Sequence, residues 1–382
     1  MLPDYKGRSI VNLMSSIGKA FGAKTRYKEL KLLRPAEIKK HKNIVLMVID
    51  GLGYDYFKKR KSGLKKGLRG MMTSVIPPTT ASAVTTFTTG DAPQQHAYTG
   101  WFMHLKELGI VSTILPFAPR IGGLSFDRQK IKISDICGGK LFFGKIKAQS
   151  FMIMPKNILA CRFNRQNWAG IRTLGYPSIE GFLKSTEKAV KAGKKTKYIY
   201  AYWPEFDSIC HHYGVSSKVA EQHFNIISKK IEKFIQRIKG TNTLLIITAD
   251  HGLIDTPVSR ITWVDDHPRL KECLTLPLCG EARFAYCYVH PSKAKQFEWY
   301  VRTRLKKQCR LHKSQDLIRK NWFGLFEPDP RLFDRIGDYV VEMKENNTII
   351  DQMPGESKEV FLGHHGGTSR QEMLVPLIVF SL

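Results

Sequence analysis

The sequence predicts an α/β fold built on a mostly parallel central sheet flanked by helices, and three observations carry that expectation. Four short apolar runs, residues 44–49, 198–203, 244–248 and 373–380, lack the polar alternation of a half-exposed strand. Runs of this kind suit parallel strands buried on both faces. Between the second and third lies an amphipathic helix, with Phe224, Ile227, Ile231, Phe234 and Ile238 at helical spacing and Gly240 as its stop. Three of the runs open directly onto acidic or histidine residues. Strands separated by helices argue for one α/β core.

The 382 residues suit one large domain or a core carrying a smaller insertion. With 42% hydrophobic and 11% aromatic residues, the chain has enough apolar surface to offset its entropy, which excludes disorder. Residues 1–42 are expected to form a basic segment packing on the core. Their opening stretch mixes charge through its apolar positions and does not read as a secretory signal. No apolar run approaches the roughly 20 residues that span a bilayer. Seven scattered cysteines form no CxxC pair, so neither a disulfide framework nor a zinc ribbon is indicated, and a cytoplasmic location is expected.

The core is expected over 43–269 and 352–382. Its first strand leads into Asp50-Gly51-Leu52-Gly53, and its last ends the chain. Residues 102–195 carry mixed signals and no legible motif. The stretch 270–351 interrupts the core with a strand-like 283–289, a helix-like 293–307 and a strand-like 339–343, and is expected to be a small α+β cap. Arg283 is a basic candidate for shaping a pocket there.

The net charge of +28 could hold nucleic acid, an anionic surface or a phosphorylated substrate. The basic residues are spread along the chain, however, and a lysine-rich bias on solvated helix faces is the simpler account.

The strand ends are more specific. In an open parallel sheet, the carboxyl ends of the strands form the ligand crevice. Asp50 alone would be a turn residue. It is joined by Asp250-His251-Gly252 after the third run and by Asp207-x-x-x-His211 after the second, with His364-His365-Gly366-Gly367 further on. Residues four apart on a helix face the same way, so Asp207 and His211 can grip one ion. Mixed carboxylates and imidazoles suit Zn²⁺, with Mn²⁺ also suitable, and the ligands outnumber the needs of one tetrahedral site. Two divalent ions are the economical reading. The run Pro77-Pro78-Thr79-Thr80 predicts hydroxyl capping of a helix beginning near Thr80. A hydroxyl at such a terminus is also placed to attack phosphorus, because free amides there stabilise phosphoryl oxygens.

In this order, Asp50, Thr80, Asp207-x-x-x-His211, Asp250-His251-Gly252 and His365-Gly366 resemble the alkaline phosphatase superfamily. Within it, the chain is most similar to the type I phosphodiesterase/nucleotide pyrophosphatase family, in its prokaryotic, cytosolic branch. The resemblance implies an alkaline-phosphatase-like core and two zinc sites. One would be held by Asp207, His211 and His365, and the other by Asp50, Asp250, His251 and Thr80. It further implies Thr80 as the nucleophile of a phosphodiester or pyrophosphate hydrolase acting through a phospho-threonine. His365 is preferred to His364 because it directly precedes Gly-Gly. The substrate would be small, phosphorylated and nucleotide-like.

The chain departs from the family at Ala83, where an Asn that helps hold a phosphoryl oxygen is expected. His96 and His212 match no family role and read as structural or solvent-facing. A sulfatase would need a Cys/Ser-x-Pro-x-Arg setting, which is missing here. The alternatives are a phosphomonoesterase or phosphonate hydrolase of the same superfamily, or a basic nucleic-acid- or membrane-binding protein without turnover. The oligomeric state is not legible.

Overall fold

The computed structural model describes residues 1–126, 128–131, 136, 140–160, 171–356 and 360–382. Strands β1 (Asn43–Ile49), β8 (Lys197–Trp203) and β9 (Thr243–Thr248) are buried along their whole length, as their unbroken apolar sequences require. They lie at the middle of a seven-stranded sheet. Its order is β2 (Leu68–Thr73), β18 (Leu374–Ser381), β9, β1, β8, β6 (Gln149–Pro155) and β7 (Arg172–Tyr176). β1 runs parallel to both neighbours, with Ile49 opposite Trp203 and Val48 opposite Thr248. The three strands therefore end level, and the residues that follow them share one shelf.

The last strand departs from expectation. Residues 373–380 read as a parallel strand, but β18 is antiparallel to both β9 and β2. The chain leaves β9 at the carboxyl end of the sheet, and Glu372 is still there, accepting from the Gly252 N–H at 2.9 Å. A strand that starts at this end can only run back. Burial on both faces makes a run apolar without recording its direction.

The expected amphipathic helix spans Lys218–Arg237, and all five periodic residues are buried. Ser217 caps it by accepting from the Ala220 N–H at 3.1 Å. Nearer the amino terminus, a helix at Ile10–Ala20 was not foreseen. Its apolar residues Ile10, Leu13, Met14 and Ile17 recur at helical spacing, but the face between them, Asn12, Ser15 and Ser16, is buried as well. Asn12 closes a capping box with Ser9 and donates to the Tyr5 and Lys28 carbonyls at 2.9 and 2.8 Å. The segment's apolar side chains belong to the same core cluster as β1 and β8.

A second seven-stranded sheet takes four strands from the expected insertion. These are β12 (Cys279–Glu281), β13 (Phe284–Cys287), β14 (Cys309–Lys313) and β15 (Tyr339–Met343). The helix expected at 293–307 appears as Ala294–Arg304. The other three strands come from the segment without a legible motif: β3 (Phe102–Leu105), β4 (Ile110–Thr113) and β5 (Ala118–Pro119). The two contributions meet where Gly280 pairs with Phe102. Gly280 has φ +81°, and a Cβ there would strike the Phe284 carbonyl. Only glycine fits this junction. Two short pairs, β10 (Ile254–Asp255) with β17 (Gly363–His364) and β11 (Ile261–Trp263) with β16 (Thr348–Ile350), complete the ladders among the described residues.

The two sheets are joined by a buried ion pair. Arg283 donates to both Glu372 oxygens, at 2.7 and 3.0 Å, and to the Asn347 carbonyl at 2.6 Å. The two side chains are 1% and 0% exposed. Arg283 is therefore not a pocket residue, contrary to expectation. A fully buried guanidinium needs a bidentate carboxylate, and Glu372 supplies it. Among the described residues, no helix is long and apolar enough to cross a membrane.

Candidate active site

Asp50, Asp207, Asp250 and His251 all emerge at the shelf where β1, β8 and β9 end. Asp50 follows β1 directly. Asp207 and His211 sit on the helix Glu205–Tyr213, one turn apart, with His211 Nε2 3.2 Å from Asp207 Oδ2. His211 Nδ1 donates to the Gly363 carbonyl at 2.8 Å, which leaves Nε2 facing the shelf. Asp250 Oδ1 accepts from the Gly51 and His251 N–H groups at 3.1 and 3.0 Å, stitching the two strand ends together. Gly252 follows because a Cβ there would collide with the Gln371 carbonyl and press on Gly53.

Thr80 opens the helix Thr80–Thr89. Its Oγ1 lies 3.3 Å from Asp50 Oδ2 and 3.2 Å from His251 Nε2. His251 Nε2 is also 3.3 Å from Asp50 Oδ1 and 3.4 Å from Asp250 Oδ2. The His365 ring lies 4.0 Å from that of His251 and 5.0 Å from that of His211, centroid to centroid. Two groups gather ligand atoms within 4.8 Å of one another: Asp50, Asp250 and His251, and Asp207, His251 and His365. His251 thus stands between the two, and His211 joins the second through Asp207. All seven sequence-predicted residues come together. His364 lies apart on β17, its Nε2 within 3.0 Å of the Phe361 carbonyl.

The residues fit divalent cations on grounds of their own. Asp50 Oδ1, Asp207 Oδ1, Asp250 Oδ2 and His365 Nδ1 are all buried without a hydrogen-bond partner. Four such atoms around one shelf are costly unless a cation engages them. Burial, and then the charges of Asp250 and Asp207, push Asp50 well above the usual carboxylate range. Burial also raises Asp250. Asp207 is opposed by burial too, but the imidazoles, His211 foremost, hold it below its ordinary value. His365 is driven well below the usual imidazole range by burial and then by His251, so it is a neutral donor.

The capping expectation needs correction. Thr79 occupies the cap position, but its side chain makes no bond to the helix. Its hydroxyl donates instead to Glu281 Oε1 at 2.7 Å. The first-turn amides are left without a side-chain cap, next to Thr80. Ala83 is fully buried in the main core and does not reach the site. His96 is structural: Nδ1 accepts from the Tyr98 N–H at 3.0 Å, and Nε2 donates to Thr86 at 3.2 Å. His212 is exposed on the rim, its Nδ1 2.7 Å from the Ser208 carbonyl.

Two residues at the site were not foreseen. Tyr202 donates its hydroxyl to Asp50 Oδ2. Burial, and then Asp50, push the phenol well above its usual range, so it remains a donor. Its alternation with Tyr198 and Tyr200 on one strand face was a readable signal. Glu281, at the end of β12, accepts from both Thr79 and the Trp101 N–H, each at 2.7 Å. Burial pushes it up to about 7. No motif marks it; only the preceding glycine hints at a close backbone approach.

The model of the type I phosphodiesterase / nucleotide pyrophosphatase family matches residues 44–111 and 151–368, which takes in every residue of the shelf. The chain belongs to this family. It is accordingly a phosphoric ester hydrolase, and its fold is that of the alkaline phosphatase superfamily. Murine ectonucleotide pyrophosphatase / phosphodiesterase 5 superposes with a TM-score of 0.66 at 18% identity, covering 87% of each chain. The human counterpart gives 0.67 at 17% identity, covering 88% of this chain and 87% of that one. Phosphonoacetate hydrolase from Sinorhizobium meliloti, in complex with phosphonoformate, gives 0.61 at 17% identity, covering 88% and 89%. At these identities the likenesses establish the fold. No curated protein sequence matches the chain.

Proposed function

We propose that this family member hydrolyses phosphodiester or pyrophosphate bonds of a small, nucleotide-like substrate, with Thr80 as nucleophile. The observation that carries the reading is the Thr80 hydroxyl lying within 3.3 Å of both Asp50 and His251, beside four unpartnered buried ligand atoms. Two divalent cations, zinc by the chemistry of the donor set, would be held by Asp207, His211 and His365 and by Asp50, Asp250, His251 and Thr80. When bound, they supply positive charge that acidifies the threonine hydroxyl and offsets charge on the departing oxygen.

The chain's own residues do the rest. Thr80 Oγ1 attacks phosphorus in line, forming a Thr–O–P bond as the bond to the departing alcohol breaks. The uncapped first-turn amides face the phosphoryl oxygens. Water then attacks the phospho-threonine and regenerates Thr80. Tyr202 holds Asp50 in a fixed orientation through its hydrogen bond. The phosphonate hydrolase reading shares all of these residues, and the choice of substrate separates the two.

The five cysteines among the described residues are free and buried, which supports a cytoplasmic setting. Cys137 and Cys161 lie outside the described residues. Beyond the cavity, the +28 charge suits anionic polymers or surfaces as secondary partners.

The test is hydrolysis of bis-p-nitrophenyl phosphate and p-nitrophenyl thymidine monophosphate with zinc or manganese, after chelation, and by Thr80→Ala. Turnover that disappears with chelator and in the variant is expected. Turnover that survives Thr80→Ala overturns the assignment of the nucleophile.

A further inference from the structure

The cavity above the shelf has a volume of about 710 Å³ and two unlike halves. Its floor is the ligand cluster. Its roof and rim come from the second sheet and adjoining loops, and include Trp101, Phe102, Trp263, Glu281, Asp351 and Phe361. A phosphodiester bound at the floor must place its second substituent in this outer half.

The charge of the outer half is unusual for a site that receives phosphate. Among the described residues, Arg120 is the only lysine or arginine lining the cavity. It is already engaged: Nε and Nη2 donate to Glu356 at 2.7 and 2.9 Å, Nη1 to the Leu278 carbonyl at 2.9 Å, and Nη2 also to the Asp351 carbonyl. Four of its five N–H groups are thereby used. Its guanidinium lies 4.0 Å over the Phe102 ring, and the side chain is 5% exposed. It cannot swing to a substrate without breaking this set.

Arg120 and Glu356 cancel, which leaves Glu281 and Asp351. Glu281 uses one oxygen to hold Thr79 and Trp101. Asp351 accepts from the Leu278 N–H through Oδ2 at 2.8 Å. Its Oδ1 has no partner, although the residue is only 7% exposed and lines the cavity. A carboxylate in the cavity wall that lacks a full set of donors repels a further negative charge brought beside it. The surrounding aromatic faces are also electron-rich and favour neutral or cationic groups over anions.

We infer that Glu281 and Asp351 make the outer half of the cavity a charge filter. It admits phosphodiesters whose second substituent is neutral or cationic. It rejects substrates bearing a further negative charge, including phosphomonoesters, carboxylated phosphonates and nucleoside triphosphates. This rests on the hydrolase reading above and narrows its substrate class to phosphodiesters, setting pyrophosphates aside. A monoester site supplies a free cationic clamp for the extra charge; among the described residues the one candidate, Arg120, is neutralised and two carboxylates line the wall beside it.

The test uses the zinc-loaded enzyme at pH 8.5, where Glu281 is charged, with three p-nitrophenyl esters. These are ethyl p-nitrophenyl phosphate, p-nitrophenyl phosphorylcholine and p-nitrophenyl phosphate. The wild type should turn over the first two with kcat/KM at least about tenfold above the monoester, from like-charge rejection. Glu281→Gln and Asp351→Asn keep their acceptor oxygens and remove the charge. Together they should shrink the discrimination about tenfold. Zinc content and thermal melting show that the variants are folded and loaded.

A wild-type preference for the monoester, or a ratio that folded variants leave unchanged, overturns the filter. Absence of turnover on all three esters with zinc bound overturns the hydrolase reading instead. Calorimetric binding of the same esters to Thr80→Ala then reads the filter directly: a monoester bound as tightly as the ethyl diester refutes it.

Discussion

The floor and the roof of the cavity are built from different kinds of sequence. The floor comes largely from the ends of three level strands, where a few backbone atoms fix a side chain, with Thr80 and His365 brought in from a helix start and a short strand end. Asp250, for example, is held by two N–H groups from neighbouring strand ends. The roof is gathered from short pieces of two distant segments whose strands, among the described residues, pair only at Gly280 and Phe102. The lesson is that chemistry and selectivity are carried separately here. On the reading proposed above, the floor engages the phosphoryl group, whereas the roof meets whatever stands in the place of its second substituent.

The largest expected effect comes from the floor. Asp50→Asn should lower turnover on the order of 10³-fold on every ester alike, measured as kcat/KM with zinc present. The same substitution should raise the melting temperature of the chelated protein by a few degrees, because it relieves an uncompensated buried carboxylate. A change confined to one substrate would break the division between floor and roof.

His365→Ala should weaken retention of one of two zinc ions by on the order of 100-fold, read as bound zinc after dialysis against a competing chelator. His364→Ala should leave both ions in place. The reverse result would exchange these neighbouring histidines.

The joint between floor and roof comes next. Arg283→Met leaves Glu372 buried and unpaired, and should cost about 3–5 kcal/mol in urea denaturation. Glu372 also accepts from the Gly367 N–H at 2.7 Å, close to His365, so zinc retention should fall with it.

His96 offers the smallest and most local test. Burial lowers its pKa from 6.5 to about 3. Between those values the unfolded chain binds a proton that the folded chain refuses, so stability falls as pH drops below 6.5 and is insensitive to this group above it. His96→Gln should flatten that slope by up to about 1.4 kcal/mol per pH unit, measured by urea denaturation from about pH 4.5 to 7.

Legibility followed the same division. β1, β8, β9 and the helix Lys218–Arg237 were readable because burial on both faces, or on one stripe, writes itself into local periodicity. The helix Ile10–Ala20 carries a stripe too, in Ile10, Leu13, Met14 and Ile17; what stayed hidden is the burial of its polar face, where Asn12, Ser15 and Ser16 bond to the backbone of residues 27–30. The antiparallel direction of β18 was also hidden, since direction depends on where the preceding chain ends. Thr79 looked like a helix cap, and nothing near it in sequence reveals that Glu281, 202 residues away, takes its hydroxyl.

The sequence by itself determined the core strands, the family and which seven residues gather at the shelf, because each of these side chains lies in or beside a local motif of its own. Only the tertiary structure decided the roles of Arg283, Glu281 and Asp351. A charged side chain acts according to what it meets. Arg283 meets Glu372 and becomes a structural joint; Asp351 keeps one oxygen with no donor at the cavity wall. Local sequence carries no record of those partners, which come together only when two distant segments complete one sheet.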